Sequence, residues 1–261
     1  MYVSSFTFNC VNYKILPDKL ELNGIEGKFK TLIKSYLTGR HQRVTLANIT
    51  DNNSSSKWEV IKFGLPQGLI LGPLFFLFYI NDLPKIINKD NNMVLFADDT
   101  SIIITDSNKP EFNININQMF QDINTWFNVN LLTLNFSKTQ YLEFITRNYY
   151  NVNTRINYGQ KCITNATEIK FLGLIMGDTL SWKQHIEQVV SKMCTACFPL
   201  RNIKHIVPLN TLRILYSTHI HSIISYDIIF WGGTSYANKV FILKKKIIGV
   251  ITNTKSRDSC R

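Results

Sequence analysis

The stretch Met93-Val-Leu-Phe-Ala-Asp-Asp-Thr-Ser-Ile-Ile-Ile-Thr105 decides how this chain is read. Two short runs rich in apolar and β-branched residues flank Ala97-Asp98-Asp99. That is the pattern of two buried strands joined by a tight turn. Asp98 and Asp99 then sit side by side, where their charges repel. Asp is also an ordinary turn residue, because its side chain bonds to nearby backbone. The turn by itself therefore names no chemistry. The apolar flanks add the argument. Adjacent carboxylates at the edge of a hydrophobic sheet call for a neutralising divalent cation, and oxygen donors suit magnesium (Mg2+) or manganese.

Working outward, 261 residues are enough for one large or two modest domains with a real core. A hydrophobic fraction of 45% with 12% aromatics excludes a disordered chain. The net charge of +11 favours a polyanionic partner, with nucleic acid first and an anionic membrane surface as the alternative. Five cysteines (10, 162, 194, 197, 260) are few and odd in number, the usage of a reducing compartment. Cys194 and Cys197 lie in an apolar helical stripe without a second ligand pair, so they read as core. The first residues lack a basic start followed by an apolar block. The longest apolar run, Leu69 to Ile80, is too short to span a bilayer. The chain reads as intracellular.

Two short helices are expected over Leu16–Leu22 and Ile25–Leu37, split at Asn23-Gly24, with Gly39 closing the second. Gln42–Ile49 and Trp58–Phe63 read as the arms of a hairpin. The run to Ile80 reads as a helix buried on most sides and closed by Pro84. Beyond the Asp-Asp hairpin, Phe112, Ile116, Met119, Ile123 and Trp126 form one helical stripe. Gln140–Ile145 and Ile169–Met176 are expected strands. From Trp182 the pattern turns helical. One stripe is Ile186, Val189/Val190, Met193 and Cys197; the next is Leu212, Leu215/Tyr216, His219, Ile223 and Tyr226. The composition shift near Gly177 suggests a mixed α/β domain over 1–178 and a helical one over 179–261.

The motifs and their order make a resemblance visible. Leu65-Pro-Gln-Gly-x-x-Leu-Gly-Pro73, Phe76-Leu-Phe-Tyr-Ile-Asn-Asp-Leu-Pro84 and Phe96-Ala-Asp-Asp-Thr100 resemble the reverse transcriptases of non-LTR retrotransposons, jockey-like LINE elements above all. Leu132-x-Leu-Asn135-x-x-Lys138-Thr and Phe171-Leu-Gly173 continue the likeness, as do Lys19-Leu-Glu, Gly24-Ile-x-Gly27 and Ser35-Tyr-Leu-x-x-Arg40-x-Gln42 upstream. The resemblance implies an α+β right-hand polymerase: a palm sheet with partial fingers, and a mostly helical thumb. It implies an RNA template, a DNA primer, deoxynucleoside triphosphates and Mg2+ or Mn2+, at work in the nucleus. Asp98 and Asp99 would be the metal-binding pair, and Gln67 and Gly68 would lie against the incoming nucleotide. Lys138 would donate a proton to pyrophosphate, and Leu172 and Gly173 would form the primer grip. Lys192, Arg201, Lys204 and Arg213 would meet phosphates along the thumb.

One departure bears on activity. The family carries a further catalytic acid on the first palm strand, in an Asp-x-x-x-Ala-Phe-Asp segment. Here that segment corresponds to Val3-Ser-Ser-Phe-Thr-Phe8-Asn9. Phe8 takes the place of the aromatic that excludes a ribose 2′-hydroxyl. Val3 and Asn9 take the places of the two acids, and no Asp or Glu precedes Asp18. Much of the fingers, any endonuclease and the C-terminal continuation of the family also lie outside this chain. Three readings follow: a nucleotidyltransferase by descent that is inactive as this chain, a basic nucleic-acid-binding remnant, and a group II intron-type reverse transcriptase.

Overall fold

Two apolar cores organise the chain. The computed structural model describes residues 2–4, 10–46, 54–65, 68, 70–87, 92–97, 99–105, 109–144, 155–158 and 161–254. One compact unit comprises Met1–Tyr141 with Val152–Asn165, the other Leu142–Asn151 with Ala166–Arg261. Helices and small, mostly antiparallel sheets make up both, an α+β arrangement.

The first unit opens with strand β1 (Tyr2–Ser4), then helices α1 (Leu16–Leu22) and α2 (Gly27–Leu37). Pro17 in the first turn of α1 suits its fixed φ, and Gly24 at φ +83° lets the chain leave after Asn23. The expected hairpin forms as two short ladders: β2 (His41–Gln42) with β5 (Glu59–Val60), and β3 (Thr45–Leu46) with β4 (Ser54–Ser55). Helix α3 (Leu71–Ile80) buries Phe75, Phe76, Tyr79 and Ile80. It is not buried on most sides, since Leu71, Leu74 and Leu77 stay 42–49% exposed. A uniformly apolar run carries no record of which face meets the core. Pro84 does not close this helix; it sits in a separate 3-10 turn over Leu83–Ile86.

Strands β6 (Asn92–Phe96) and β7 (Asp99–Ile103) form the hairpin, followed by α4 (Lys109–Val129) and β8 (Gln140–Tyr141). Of the strand expected over Gln140–Ile145, the described residues pair at Gln140–Tyr141 alone, and Ile145 lies outside them. The short strands β9 (Asn157–Tyr158), β10 (Lys161–Cys162) and β11 (Thr164–Asn165) complete this unit, and the sheet runs β11-β8-β1-β7-β6. The hairpin strands are not both buried. β6 lies at the sheet edge, leaving Val94 and Phe96 exposed, whereas β7 buries Thr100 and Ile102. Of the stripe read on α4, Ile116, Met119, Ile123 and Trp126 are all under 9% exposed, and Phe112 is half-buried. Each such side chain contributes about 1.5–3 kcal/mol on burial.

The second unit holds the hairpin β12 (Glu168–Phe171) and β13 (Leu174–Gly177), then α5 (Lys183–Ile203) and α6 (Leu209–Tyr216). Residues 169–176 are therefore two strands rather than one, reversed at Leu172 (φ +45°) and Gly173 (φ +93°). The composition shift near Gly177 falls inside this unit. A π-helical segment, Ser217–His221, links α6 to α7 (Ser222–Ser225); α8 (Ile228–Trp231) and α9 (Asn238–Thr252) follow. Ile186, Val189, Met193 and Cys197 of α5 are buried as read. The second stripe shifts. The wider π turn carries Ile220 and Ile224 inward, leaving His219 exposed and Ile223 half-buried. Cys197 is buried as read, whereas Cys194 is exposed and not part of the core, because it falls off the inward stripe of α5. Among the described residues, no helix is long and apolar enough to cross a membrane.

Candidate active site

Phe96 pairs with Asp99, so only two positions separate the paired ends of β6 and β7. Ala97 has φ +51°, the left-handed backbone that a two-residue hairpin turn demands. Asp99 is half-buried at the start of β7. On its other edge β7 meets β1, with Ser4 opposite Asp99, Val3 opposite Thr100 and Tyr2 opposite Ser101. β1 also runs antiparallel to β8, with Tyr2 opposite Gln140. The residues that lead into Gln140 therefore arrive from the Ser4 end. Lys138, exposed in a turn tied by Thr139 and Lys138 amides to the Asn135 carbonyl, enters the sheet at the same end as Asp99. Three neighbouring strands thus converge on one end of the sheet.

β1 supplies Tyr2, Val3 and Ser4, none a carboxylate, and among the described residues no group of three His, Cys, Asp or Glu gathers. Magnesium favours several oxygen ligands at near-octahedral positions. Of the Asp98–Asp99 pair, only Asp99 lies among the described residues. Asp98, Gln67, Phe8 and Asn9 lie outside the described residues. Gly68 is exposed at φ +81° with open space where a Cβ would stand.

Residues 6–176 match the family model described as Reverse transcriptase (RNA-dependent DNA polymerase). The chain belongs to the reverse transcriptase family. Val3 stands just ahead of the matched span. The chain is 24% identical over 90% of its length to the Drosophila melanogaster "Probable RNA-directed DNA polymerase from transposon BS". To the "RNA-directed DNA polymerase from mobile element jockey" of the same fly it is 21% identical over 83%. It spans 28% and 24% of those two relatives. It is thus a reverse transcriptase domain homologous to the polymerases of non-LTR elements, a family that uses divalent metal ions and binds nucleic acid.

Within this reverse transcriptase domain, sequence reading passed over a buried polar knot. Lys19 Nζ donates to Asp82 Oδ1 at 2.7 Å, and Trp126 Nε1 donates to Asp82 Oδ2 at 3.2 Å. The same ammonium lies 4.6 Å from the Trp126 ring centre and 5.3 Å from that of Tyr79. Burial holds the Lys19 pKa below its usual value, opposed by the Asp82 hydrogen bond. Tyr79 donates to the Asn130 carbonyl at 2.6 Å, and burial pushes its pKa up to about 12. Lys19, Asp82 and Asn130 are separated by dozens of residues, so spacing could not have joined them.

In the second unit the Leu172–Gly173 turn has its own support. Tyr226 donates its hydroxyl proton to the Leu172 carbonyl. The Ile175 amide donates to His185 Nδ1 at 3.3 Å. His185 is 3% exposed, between Trp182 and Trp231. Burial and the charge of Lys192 lower its pKa, against a raising contribution from Asp227. Gly173, His185, Lys192, Ser222 and Tyr226 line an open cavity of about 330 Å³.

Proposed function

We propose that this chain is the palm, with partial fingers, and the thumb of a non-LTR reverse transcriptase that grips a primer–template duplex without extending it. In this reading residues 1–178 form the palm with partial fingers and 179–261 the thumb. Asp98 and Asp99 are the surviving metal carboxylates, for Mg2+ or Mn2+, and Val3 stands where the first palm strand should add another. Gln67, Gly68 and Phe8 border the deoxynucleoside triphosphate, Lys138 faces the departing pyrophosphate, and Leu172–Gly173 seats the primer. The partners are an RNA template and a DNA primer in the nucleus.

The observation that carries the reading is the shared sheet end. Asp99, the Ser4 end of β1 and the Lys138 turn meet across three adjacent strands, and the β1 member brings no carboxylate. Charge supports the grip. Between residues 166 and 254 the chain has ten Lys and Arg against four Asp and Glu. Such an excess binds phosphates with little regard to base sequence.

The test is primer extension on a recessed RNA–DNA duplex with magnesium or manganese, beside a duplex-binding titration. Salt-sensitive binding with extension no greater than an Asp98→Ala control is expected. Extension above that control overturns the inactive reading, and affinity that ignores salt overturns the grip.

A further inference from the structure

The turn Leu172–Gly173 places a leucine and a glycine in left-handed backbone, with φ of +45° and +93°. Leucine disfavours that conformation. The hairpin that carries it is a two-stranded sheet, a structure with little stability of its own. Something else must hold the turn, and one side chain reaches it from the helices. The Tyr226 hydroxyl donates to the Leu172 carbonyl, and its ring covers Gly173. A Cβ built on Gly173 would lie 3.1 Å from Tyr226 Oη and 3.2 Å from Cε1. Tyr226 reaches there because α7 ends on it, just after the π-helical segment Ser217–His221 has reset the helix register. Asp227 at φ +51° then turns the chain away.

Tyr226 adds little to the core, for it is 50% exposed while Ile220, Ile224 and Trp231 around it are buried. A ring that is half in solvent, with its one polar atom fixed to the carbonyl at the turn tip, suits control of that turn. We infer that Tyr226 is a positioning residue that fixes the Leu172–Gly173 turn so that the 3′-terminal nucleotide of a primer strand can seat on it. The inference rests on the proposed reading of this turn as the primer seat.

The test uses the full chain and two labelled probes: a primer–template duplex with a recessed 3′ end and a blunt duplex of equal length. Fluorescence of 2-aminopurine at the primer terminus reports seating, and amide exchange at Gly173 reports the turn. The unmodified chain is expected to prefer the recessed end. Tyr226→Phe keeps the ring and removes one hydrogen bond. It is expected to speed exchange at Gly173 and to cut the end preference about fivefold. Blunt-duplex affinity and the thermal midpoint are expected to stay close to those of the unmodified chain. Equal loss on both probes, or an end preference that survives Tyr226→Phe, overturns the positioning role alone. An unmodified chain with no end preference overturns the primer-seat reading, and this inference with it.

Discussion

Lys19 reaches Asp82 from a site that is 7% exposed, ending a 2.7 Å ion pair against the faces of Tyr79 and Trp126. The pair ties α1 to the segment after α3, two motifs that the family carries far apart in sequence. Removing one partner of a buried pair strands the other, at about 3–5 kcal/mol when both are fully buried. Asp82 is 45% exposed on its side chain, so solvent softens the loss. Asp82→Asn is expected to destabilise the first unit by roughly 1–3 kcal/mol in urea unfolding. Lys19→Met, which leaves unpaired only the half-exposed Asp82 carboxylate that still accepts from Trp126, is expected to stay within about 1 kcal/mol of the unmodified chain. Equal effects of the two would show that packing, not charge, makes the knot.

Gly173 and Gly68 form a matched pair for backbone strain. Both have strongly positive φ, but a methyl at Gly68 meets open space and one at Gly173 meets the Tyr226 ring. Gly68→Ala is expected to cost about 1–2 kcal/mol, the usual penalty for left-handed alanine. Gly173→Ala is expected to cost more, because the ring must also move. Thermal unfolding of the two variants checks the order.

Much of this architecture could be read from the chain alone, and the exceptions share a cause. The α4 and α5 stripes were legible because Ile116, Met119, Ile123 and Ile186, Val189, Met193 recur among polar residues at helical spacing. The Asp-Asp hairpin was legible from its apolar flanks. The exposed side of α3 was not, since a run without polar residues marks no face. The π turn has no composition of its own, so the burial of Ile220 in place of His219 was hidden. The edge position of β6 depends on sheet order, which is set by partners distant in sequence. Tyr226 at Leu172 and Lys19 at Asp82 are likewise contacts that only the fold creates.

His185 supplies a pH dependence. Its folded pKa lies below the ordinary 6.5, chiefly because burial disfavours the charged ring. Between the two values the unfolded chain binds more protons than the folded one, so stability rises with pH across that window. The contribution is full above about 6.5 and is lost as pH falls through the folded value. Urea midpoints of the second unit are expected to drop from pH 7.5 to pH 5. In His185→Gln, whose amide oxygen can still accept from the Ile175 amide, this part of the slope should vanish.

The cations of the second unit are not equivalent. Arg201 and Arg213 are exposed, whereas Lys204 donates to Asn253 Oδ1 at 3.0 Å and to the Val250 carbonyl at 3.4 Å. Lys204 thus closes the C-terminal end of α9, where cations are favoured. Arg201→Ala and Arg213→Ala are each expected to make the log K against log salt slope shallower by about 0.7–0.9 for duplex binding. Lys204→Ala is expected to lower the thermal midpoint and leave the slope nearly unchanged. An equal change of slope in all three would assign Lys204 to the phosphates as well.

Val3 carries the last prediction. β1 lies against β7 with Val3 opposite Thr100, beside the strand that begins at Asp99. An acid on β1 would add oxygen ligands where Tyr2, Val3 and Ser4 now provide no carboxylate. Phosphoryl transfer depends on positioning and electrostatic stabilisation, so a weakly held cation leaves little catalysis. Val3→Asp is expected to tighten manganese binding several-fold, measured by calorimetry or by the electron spin resonance of free Mn2+. In Val3→Asp with Asp98→Ala the gain should vanish, because in the proposed reading the two carboxylates hold the ion together. Val3→Asn, nearly equal in size to Asp but uncharged, is expected to give no gain. Unchanged manganese affinity in Val3→Asp would move the missing acid to another position on the first strand. Affinity raised equally by Asn and Asp would trace the effect to the loss of the valine rather than to the added charge.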